Sequence, residues 1–342
     1  MKEPKRVILV PKTDPKSLNE NLLSYLETRG VEFRICKNLS SDEARNSDLI
    51  MVFGRDRDLL KIHQEIKDVS TPVLGVSPPG EISFLADITT NRLHESLDAI
   101  LSGNYEIEEC LRINVRIDRG NCFYALNEVA LFPSRSATLM EYELIVDGKL
   151  MWRDYSDGVI ISTPMGSTAY AMSAGGPFVM TNASVLIVVP VNSMDLTRRP
   201  LIVSNESLIE VCKIHSRCGC HVIIDGIRRV KVKEKIEVRK AKVSAKIVRL
   251  NKSSFLESKI FKKILLAEEL MKAPPSVKLV LKAIQFYGPM TQRDLVQKTM
   301  LPPRTVRYAL KILLNKGVIK RRPLVEDVRH YIYYLSEDFN QI

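Results

Sequence analysis

Through the first hundred positions apolar residues fall in short runs whose spacing alternates between two periods. Arg6–Pro11 reads as a buried strand, and Val31–Cys36, Asp48–Phe53 and Pro72–Val76 as a second, third and fourth strand. Between the first two lies Ser17–Arg29, where Leu18, Leu22, Leu23 and Leu26 recur at helical spacing and Gly30 follows as a stop. Strand–helix alternation predicts a parallel α/β sheet, which takes ligands at the carboxyl ends of its strands. From about Leu111 the pattern changes to short apolar or alternating segments at 111–117, 123–131, 140–147, 158–162, 185–190, 208–214, 221–225 and 236–248. Turn signals such as Asp147-Gly148 and Asp225-Gly226 separate them, so a mostly-β domain is expected.

A third pattern follows. Leu256, Ile260, Ile264, Ala267 and Met271 fall close to one helical face, which predicts a connector helix over 251–275 ended by Pro274-Pro275. Val277, Val280, Leu281 and Ile284 mark a further helix. Thr291-Gln-Arg-Asp294 reads as a capping box opening a short helix through Lys298. Pro302-Pro303 opens the next, with Val306, Ala309, Leu310, Leu313 and Leu314 as its apolar stripe and Gly317 as its end. A hairpin is expected from Val318–Arg322 and Arg329–Leu335. Three helices and a basic hairpin resemble a winged helix-turn-helix. The expected organisation is thus an α/β half (1–105), a β-rich half (106–250), the connector (251–275) and a small α+β winged helix-turn-helix domain (276–342).

Charge sharpens this division. Residues 1–250 hold 34 Lys and Arg against 32 Asp and Glu, a net +2, whereas residues 251–342 hold 17 against 8, a net +9. A basic C-terminal quarter points to a polyanion, and double-stranded DNA is the expected partner. Arg304, Thr305, Arg307, Tyr308 and Lys311 lie off the apolar stripe of the third helix, and Lys320, Arg321, Arg322 and Arg329 fall on the hairpin. These are the candidate DNA-binding residues; a solvated basic face or a protein-contact module is the alternative.

No apolar run reaches membrane-spanning length, and Val7–Val10 is too short for a signal-peptide core, so no membrane partner and a cytoplasmic location are expected. The six cysteines, Cys36, Cys110, Cys122, Cys212, Cys218 and Cys220, are scattered and expected as reduced thiols. His215, Cys218, Cys220 and His221 match no common zinc spacing, and a strand sends neighbours to opposite faces, so no metal site is expected.

The densest chemistry lies in Asp157-Gly-Val-Ile-Ile-Ser-Thr-Pro-Met-Gly-Ser-Thr-Ala-Tyr170 and Ser173-Ala-Gly-Gly-Pro177. Gly166, Gly175 and Gly176 permit a tight backbone path near a ligand. Ser167, Thr168 and Ser173 offer hydroxyls, and Tyr170 an aromatic face. This run resembles the signature of the NAD kinase family. Ala125-Leu-Asn-Glu-Val129 resembles that family's Asn-Glu motif, and Arg199-Pro-Leu-Ile-Val203 its later Arg-Pro-Leu segment. The resemblance spans roughly residues 5–250, and is stronger in the β half. It implies that Asn127 and Glu128 contact ribose hydroxyls of NAD or NADP, that Asp157 faces the nicotinamide end, and that Thr168, Ala169, Tyr170 and Ser173 line the nucleotide pockets. A carboxylate and an amide can chelate a diol, the charged acceptor more strongly. A homodimer or homotetramer is also implied.

The family's Gly-Gly-Asp-Gly-Thr loop is replaced by Gly54-Arg55-Asp56-Arg57-Asp58. By resemblance Asp56 is the catalytic base, taking the proton from the ribose hydroxyl that attacks phosphate. Gly54, Arg55 and Arg57 are candidate phosphate contacts. Lost glycines imply strain of about 1 kcal/mol or more wherever φ is positive, with arginine bulk and Asp58 repulsion where ATP phosphates belong. Gly75–Phe84 also departs from the family's Gly-x-Asn-x-Gly-x-Leu-Gly-Phe segment, and Met194 stands near an expected histidine. These departures favour a nucleotide-responsive transcription regulator with reduced or absent kinase activity, where Arg55 or Arg57 holds the NADP 2′-phosphate. The alternative is an active NAD kinase using ATP and Mg²⁺, with an added DNA-binding or dimerisation domain. A lipid or diacylglycerol kinase relative ranks last, because such proteins lack the Thr-Pro-x-Gly-Ser-Thr-Ala-Tyr run.

Overall fold

A computed structural model of the 342-residue chain describes residues 3–12, 18, 20–78, 83–250, 273–315, 318–323 and 331–335. The chain divides into two compact units, residues 1–78 with 85–252, and residues 79–84 with 253–342.

The first unit opens with β1 (Arg6–Pro11), α1 (Glu20–Thr28), β2 (Glu32–Ile35), α2 (Ser41–Arg45), β3 (Leu49–Phe53), α3 (Asp56–Glu65), β4 (Val73–Ser77), β5 (Ile88–Thr89), α4 (Leu93–Leu101) and β6 (Glu106–Cys110). Its sheet runs β2-β1-β3-β4 in parallel. Every residue of β3 and β4 is buried, which is why both read as continuous apolar runs. Leu22 and Leu26 of α1 and Leu93, Leu97 and Ile100 of α4 pack on Val7, Leu9, Met51 and Leu74.

Two antiparallel sheets follow. Their strands are β7 (Ile113–Ile117), β8 (Cys122–Ala125), β9 (Glu128–Pro133), β10 (Met140–Val146), β11 (Lys149–Ser156), β12 (Gly158–Ser162), β13 (Val185–Val191), β14 (Leu201–Ser204), β15 (Ile209–His215), β16 (Cys220–Ile224), β17 (Arg228–Val232) and β18 (Lys235–Lys240), with a short helix α5 (Tyr170–Ser173) between β12 and β13. The orders are β11-β10-β15-β18-β7-β8 and β14-β13-β12-β9-β16-β17. Alternate residues such as Ile113, Val115, Tyr142 and Leu144 from one sheet meet Val129, Leu131, Val159 and Ile161 from the other in a shared core.

The strand expected over 236–248 divides. Its second part, β19 (Ala245–Arg249), crosses back to lie between β4 and β6 in the first sheet. Buried Arg249 anchors it there, with Nε donating to Glu108 (2.8 Å) and Nη1 to the Leu85 carbonyl (3.1 Å). The first sheet is therefore completed by residues from beyond position 105. The segment expected as one strand at 123–131 also divides, at Leu126–Asn127, whose amides turn to a side chain.

In the second unit, α6 (Pro275–Tyr287), β20 (Met290–Thr291), α7 (Gln292–Thr299), α8 (Pro303–Asn315), β21 (Ile319–Pro323) and β22 (Tyr331–Leu335) enclose their own core of Val277, Val280, Ile284, Leu295, Val306, Leu310 and Leu313. The sheet order is β20-β22-β21. The Thr291 capping box forms, with Asp294 N–H donating to Thr291 Oγ1 (3.2 Å) and Thr291 N–H to Asp294 Oδ2 (2.9 Å). The connector helix, apart from residues 273–275, lies outside the described residues, as do Gly317 and Arg329. No described helix is long and apolar enough to cross a membrane.

Candidate active site

The glycine-rich run leaves buried β12 into a single 3₁₀ turn, Met165–Thr168, and then α5. It is sewn to the Asn-Glu motif by its own polar groups. Thr163 N–H donates to the Asn127 carbonyl (2.9 Å), Thr163 Oγ1 to the Leu126 carbonyl (2.6 Å) and Ser162 Oγ to the Asn127 carbonyl (3.2 Å). Gly166 makes this approach possible, since a Cβ there would stand 2.2 Å from the Asn127 carbonyl oxygen. Gly175, at φ 83°, occupies the left-handed region in the turn after α5.

From the other side the motif is held by Asp225. Its Oδ1 accepts from Asn127 N–H (2.8 Å) and Glu128 N–H (3.2 Å). Its Oδ2 accepts from Leu126 N–H (3.1 Å) and Gln64 Nε2 (3.2 Å). Burial raises the Asp225 carboxyl, and these donors oppose the shift. Asp225 was legible only as a turn residue; its left-handed φ of 49° fits that turn. Gln64, in the last turn of α3, carries no sequence signal at all. Arg112, also unforeseen, clamps the same end of α3, with Nη2 donating to the His63 carbonyl (2.6 Å) and Nη1 to that of Lys67. Its guanidinium lies 4.9 Å from the centre of the Tyr124 ring.

Glu128 is buried, and its Oε2 finds no hydrogen-bond partner in the chain. Burial first, then the nearby Asp225 charge, push its carboxyl up to about 8, while the Tyr170 backbone N–H pulls the other way. Asn127 is half-buried beside it. The exposed Tyr170 ring stacks on Phe132 at 5.7 Å. Thr168 and Ala169 are half-buried and Ser173 is exposed at the end of α5; Thr168 Oγ1 donates to the Met165 carbonyl (3.3 Å). Asp157 accepts from Asn192 Nδ2 (2.8 Å). Ser167 does not offer its hydroxyl: it is fully buried, donating to the Val179 carbonyl (3.1 Å) and accepting from Val179 N–H (3.2 Å). Arg199 turns to its own loop, donating to the Leu196 and Arg198 carbonyls at 2.8 Å each, and Met194 is exposed.

Positions 54–58 differ from the expected strained loop. Asp56, Arg57 and Asp58 form the first turn of α3, and no residue from 54 to 58 has positive φ. Asp58 accepts from Arg55 N–H (2.9 Å), so its charge serves the helix start. Gly54 is needed for this, since a Cβ there would lie 2.7 Å from Asp58 Oδ2. Arg55 and Arg57 are exposed, and half-buried Asp56 accepts from Leu85 N–H (3.2 Å). Gly75 admits that partner segment, because a Cβ on it would meet Ala86 Cα at 2.7 Å. The DNA-binding candidates lie in the other unit, on α8 and β21, apart from Arg329, which is outside the described residues. Among the described residues no group of three His, Cys, Asp or Glu side chains converges on a metal position.

Fold and site together define a nucleotide-binding protein that joins a parallel α/β sheet to a β-sandwich. The family model of the ATP-NAD kinase C-terminal domain matches residues 126–250. The NAD kinase of Methanothermobacter thermautotrophicus is 33% identical over 249 residues, covering 69% of this chain and 87% of that protein. The NAD kinase of Geotalea daltonii is 30% identical over 263 residues, covering 71% and 92%. In three dimensions the chain is similar to an Archaeoglobus fulgidus NAD kinase in complex with ATP (TM-score 0.65, 27% identity, 76% of this chain and 98% of that one). It shares the fold of a yeast NADH kinase complexed with NADH (TM-score 0.65, 20% identity, 73% and 84%). The chain belongs to the NAD kinase family.

Proposed function

We propose that this chain is an active NAD kinase, transferring the γ-phosphoryl group of ATP to the 2′-hydroxyl of NAD and releasing NADP and ADP. The observation that carries the proposal is Asp56, a half-buried carboxylate at the start of the helix that follows the third parallel strand, on an unstrained backbone. The lost glycines favoured a sensor retired from catalysis. That reading weakens because 54–58 is a helix start, where positive φ is not required, and because the relatives are named NAD kinases.

Glu128 supports the dinucleotide: its buried, unpartnered Oε2 suits a ribose hydroxyl, with Asn127 beside it. Thr168, Ala169, Tyr170, Ser173 and Asp157 complete that side. Asp56 takes the hydroxyl proton as the oxygen attacks phosphorus and the bond to ADP breaks. Arg55 and Arg57, exposed near the helix start, provide charge for donor phosphates. When bound, ATP with Mg²⁺ supplies the phosphoryl group and neutralises its charge. Assembly as a homodimer or homotetramer draws support from Leu150, Met151 and Tyr155, exposed on edge strand β11. We also infer that residues 276–342 are a winged helix-turn-helix domain added to the kinase, a reading supported by its three helices and antiparallel sheet.

The test is NADP formation by the full chain with ATP, Mg²⁺ and NAD. We expect turnover, and an Asp56→Asn variant about 10²–10⁴-fold slower that still binds NAD. A wild-type chain that binds NAD by calorimetry without forming NADP would overturn the kinase reading in favour of the sensor.

A further inference from the structure

The second unit has an asymmetric surface. On α8, Val306, Ala309, Leu310 and Leu313 are buried at helical spacing i, i+3, i+4 and i+7. Arg304, Arg307, Tyr308 and Lys311 repeat the same spacing and are all exposed. The two stripes share one helix at different angular positions, so the core fixes which side the basic stripe presents. From Arg304 to Lys311 the stripe rises about 10 Å, two helical turns. A major groove is about 12 Å wide and admits such a helix.

Among the described residues of this unit, little negative charge offsets the cations. Asp294 is the only carboxylate side chain among its described residues, and its Oδ2 is engaged by Thr291 N–H (2.9 Å) and Oγ1 (2.7 Å). No ion pair to Arg304, Arg307, Lys311 or Lys320 occurs among the described residues. A solvated helix surface usually interleaves both signs; this stripe carries only cations and a tyrosine.

The helix before it and the strand after it suit the same partner. α7 ends at Thr299 and α8 begins at Pro303, a tight helix–turn–helix in which Met300 takes a left-handed φ of 54°. β21 then presents exposed Lys320, Arg321 and Arg322. Two of these are held by aromatic faces: Arg321 lies 4.4 Å from the Tyr331 ring centre and Arg322 5.9 Å from that of Tyr334. Cations laid on rings lose less freedom on meeting a phosphate.

We propose that α8 and β21 form a binding face for double-stranded DNA. Arg304, Arg307, Tyr308 and Lys311 occupy the major groove and its flanking phosphates, and Lys320, Arg321 and Arg322 contact the adjacent backbone. The proposal rests on the winged helix-turn-helix reading of this unit, with Thr305, half-buried on the same helix, at the groove's margin. It is independent of the kinase reading. A duplex is favoured over single-stranded RNA because the exposed stripe offers one aromatic among cations on a rigid helix, whereas single strands are bound by stacking platforms.

The experiment uses the full chain and a fluorescent 25-base-pair duplex of mixed sequence, with anisotropy followed from 50 to 300 mM salt. We expect salt-dependent binding. The triple variant Arg304→Ala, Arg307→Ala, Lys311→Ala should weaken it at least tenfold at 100 mM salt and lower the log K against log salt slope by about 2–3. A second variant, Arg321→Ala with Arg322→Ala, should weaken it less and lower the slope by about 2. NADP formation and thermal midpoint serve as controls and should be unchanged in both. Binding that survives the triple variant, absence of duplex binding at 50 mM salt, or preference for single-stranded RNA overturns the proposal. Amide exchange over residues 303–315 reports the winged-helix reading separately, since an unprotected segment there would mean that α8 itself is wrong.

Discussion

Glu128 is a carboxyl group whose surroundings favour its neutral form. Burial beside Asp225 raises it from the ordinary 4.5 to about 8. A diol is held better by the carboxylate, which accepts from both hydroxyls with full charge. NAD affinity should therefore increase as pH rises from 6.5 to 8.5, and this dependence should vanish in Glu128→Gln. Calorimetry at the two pH values checks it; an unchanged wild-type affinity removes Glu128 from the dinucleotide contact. The sign for stability is opposite. The folded value lies above the unfolded one, so the folded state holds this proton more tightly and loses that advantage as pH climbs toward 8. Glu128→Gln should raise the thermal midpoint more at pH 9 than at pH 5.

At the scale of elements, α3 links Asp56, the proposed base, to the carboxylate that holds the Asn-Glu motif. Asp56 stands in its first turn and Gln64 eight residues later, about 12 Å along the axis. Gln64 Nε2 donates to Asp225 Oδ2 (3.2 Å) and the Ile224 carbonyl (3.2 Å), while the same carboxylate carries the Asn127 and Glu128 amides. One buried acceptor thus positions both α3, which carries the proposed base Asp56, and the Asn-Glu motif. Asp225→Asn offers an amide N–H₂ where a backbone N–H needs an acceptor, at about 1–3 kcal/mol. We expect lower stability in urea and a raised KM for NAD. Gln64→Ala leaves the backbone contacts and should lower kcat more than it raises KM. Asp225→Asn with wild-type stability and KM would dismiss the clamp.

For the whole molecule, the sheet and sandwich of the first unit meet where Arg112 caps the end of α3. His63 is buried there with neither ring nitrogen hydrogen-bonded, and burial, then Arg112, push its imidazole down to about 3. A depressed histidine costs nothing above its ordinary 6.5, but below it the unfolded chain takes a proton that the folded chain refuses. Stability should fall by about 1.4 kcal/mol per pH unit below that value from this group alone. His63→Leu sacrifices no hydrogen bond and should flatten the decline between pH 6.5 and 5 in denaturant titrations. An unaltered slope would mean the acid sensitivity lies elsewhere.

Legibility followed burial. β1, β3, β4, β12 and β13 are mostly buried and were read directly from apolar runs; α8 was read from its stripe. Of the strands with no sequence signal, β6, β11, β14, β17 and β20 are sheet edges, and β5 is a two-residue branch on β4. Glu106–Cys110 and Arg228–Val232 carry mostly charged residues because one edge and one face meet water. In the site, the run from Asp157 to Tyr170 was legible because glycines and hydroxyls crowd a short stretch, whereas Asn127 and Glu128 stood out only by resemblance to the family's Asn-Glu motif. Asp225 and Gln64 were not, since each is one common polar residue whose meaning depends on a partner more than sixty positions away. The sequence alone thus determined the buried strands, the helices of the second unit, the order of motifs and the division of charge, because periodicity and composition act between near neighbours. Tertiary structure alone decided that β19 returns to the parallel sheet, that 54–58 is a helix start, and that one buried carboxylate holds the Asn-Glu motif. Those outcomes depend on which distant groups satisfy one another once water is excluded.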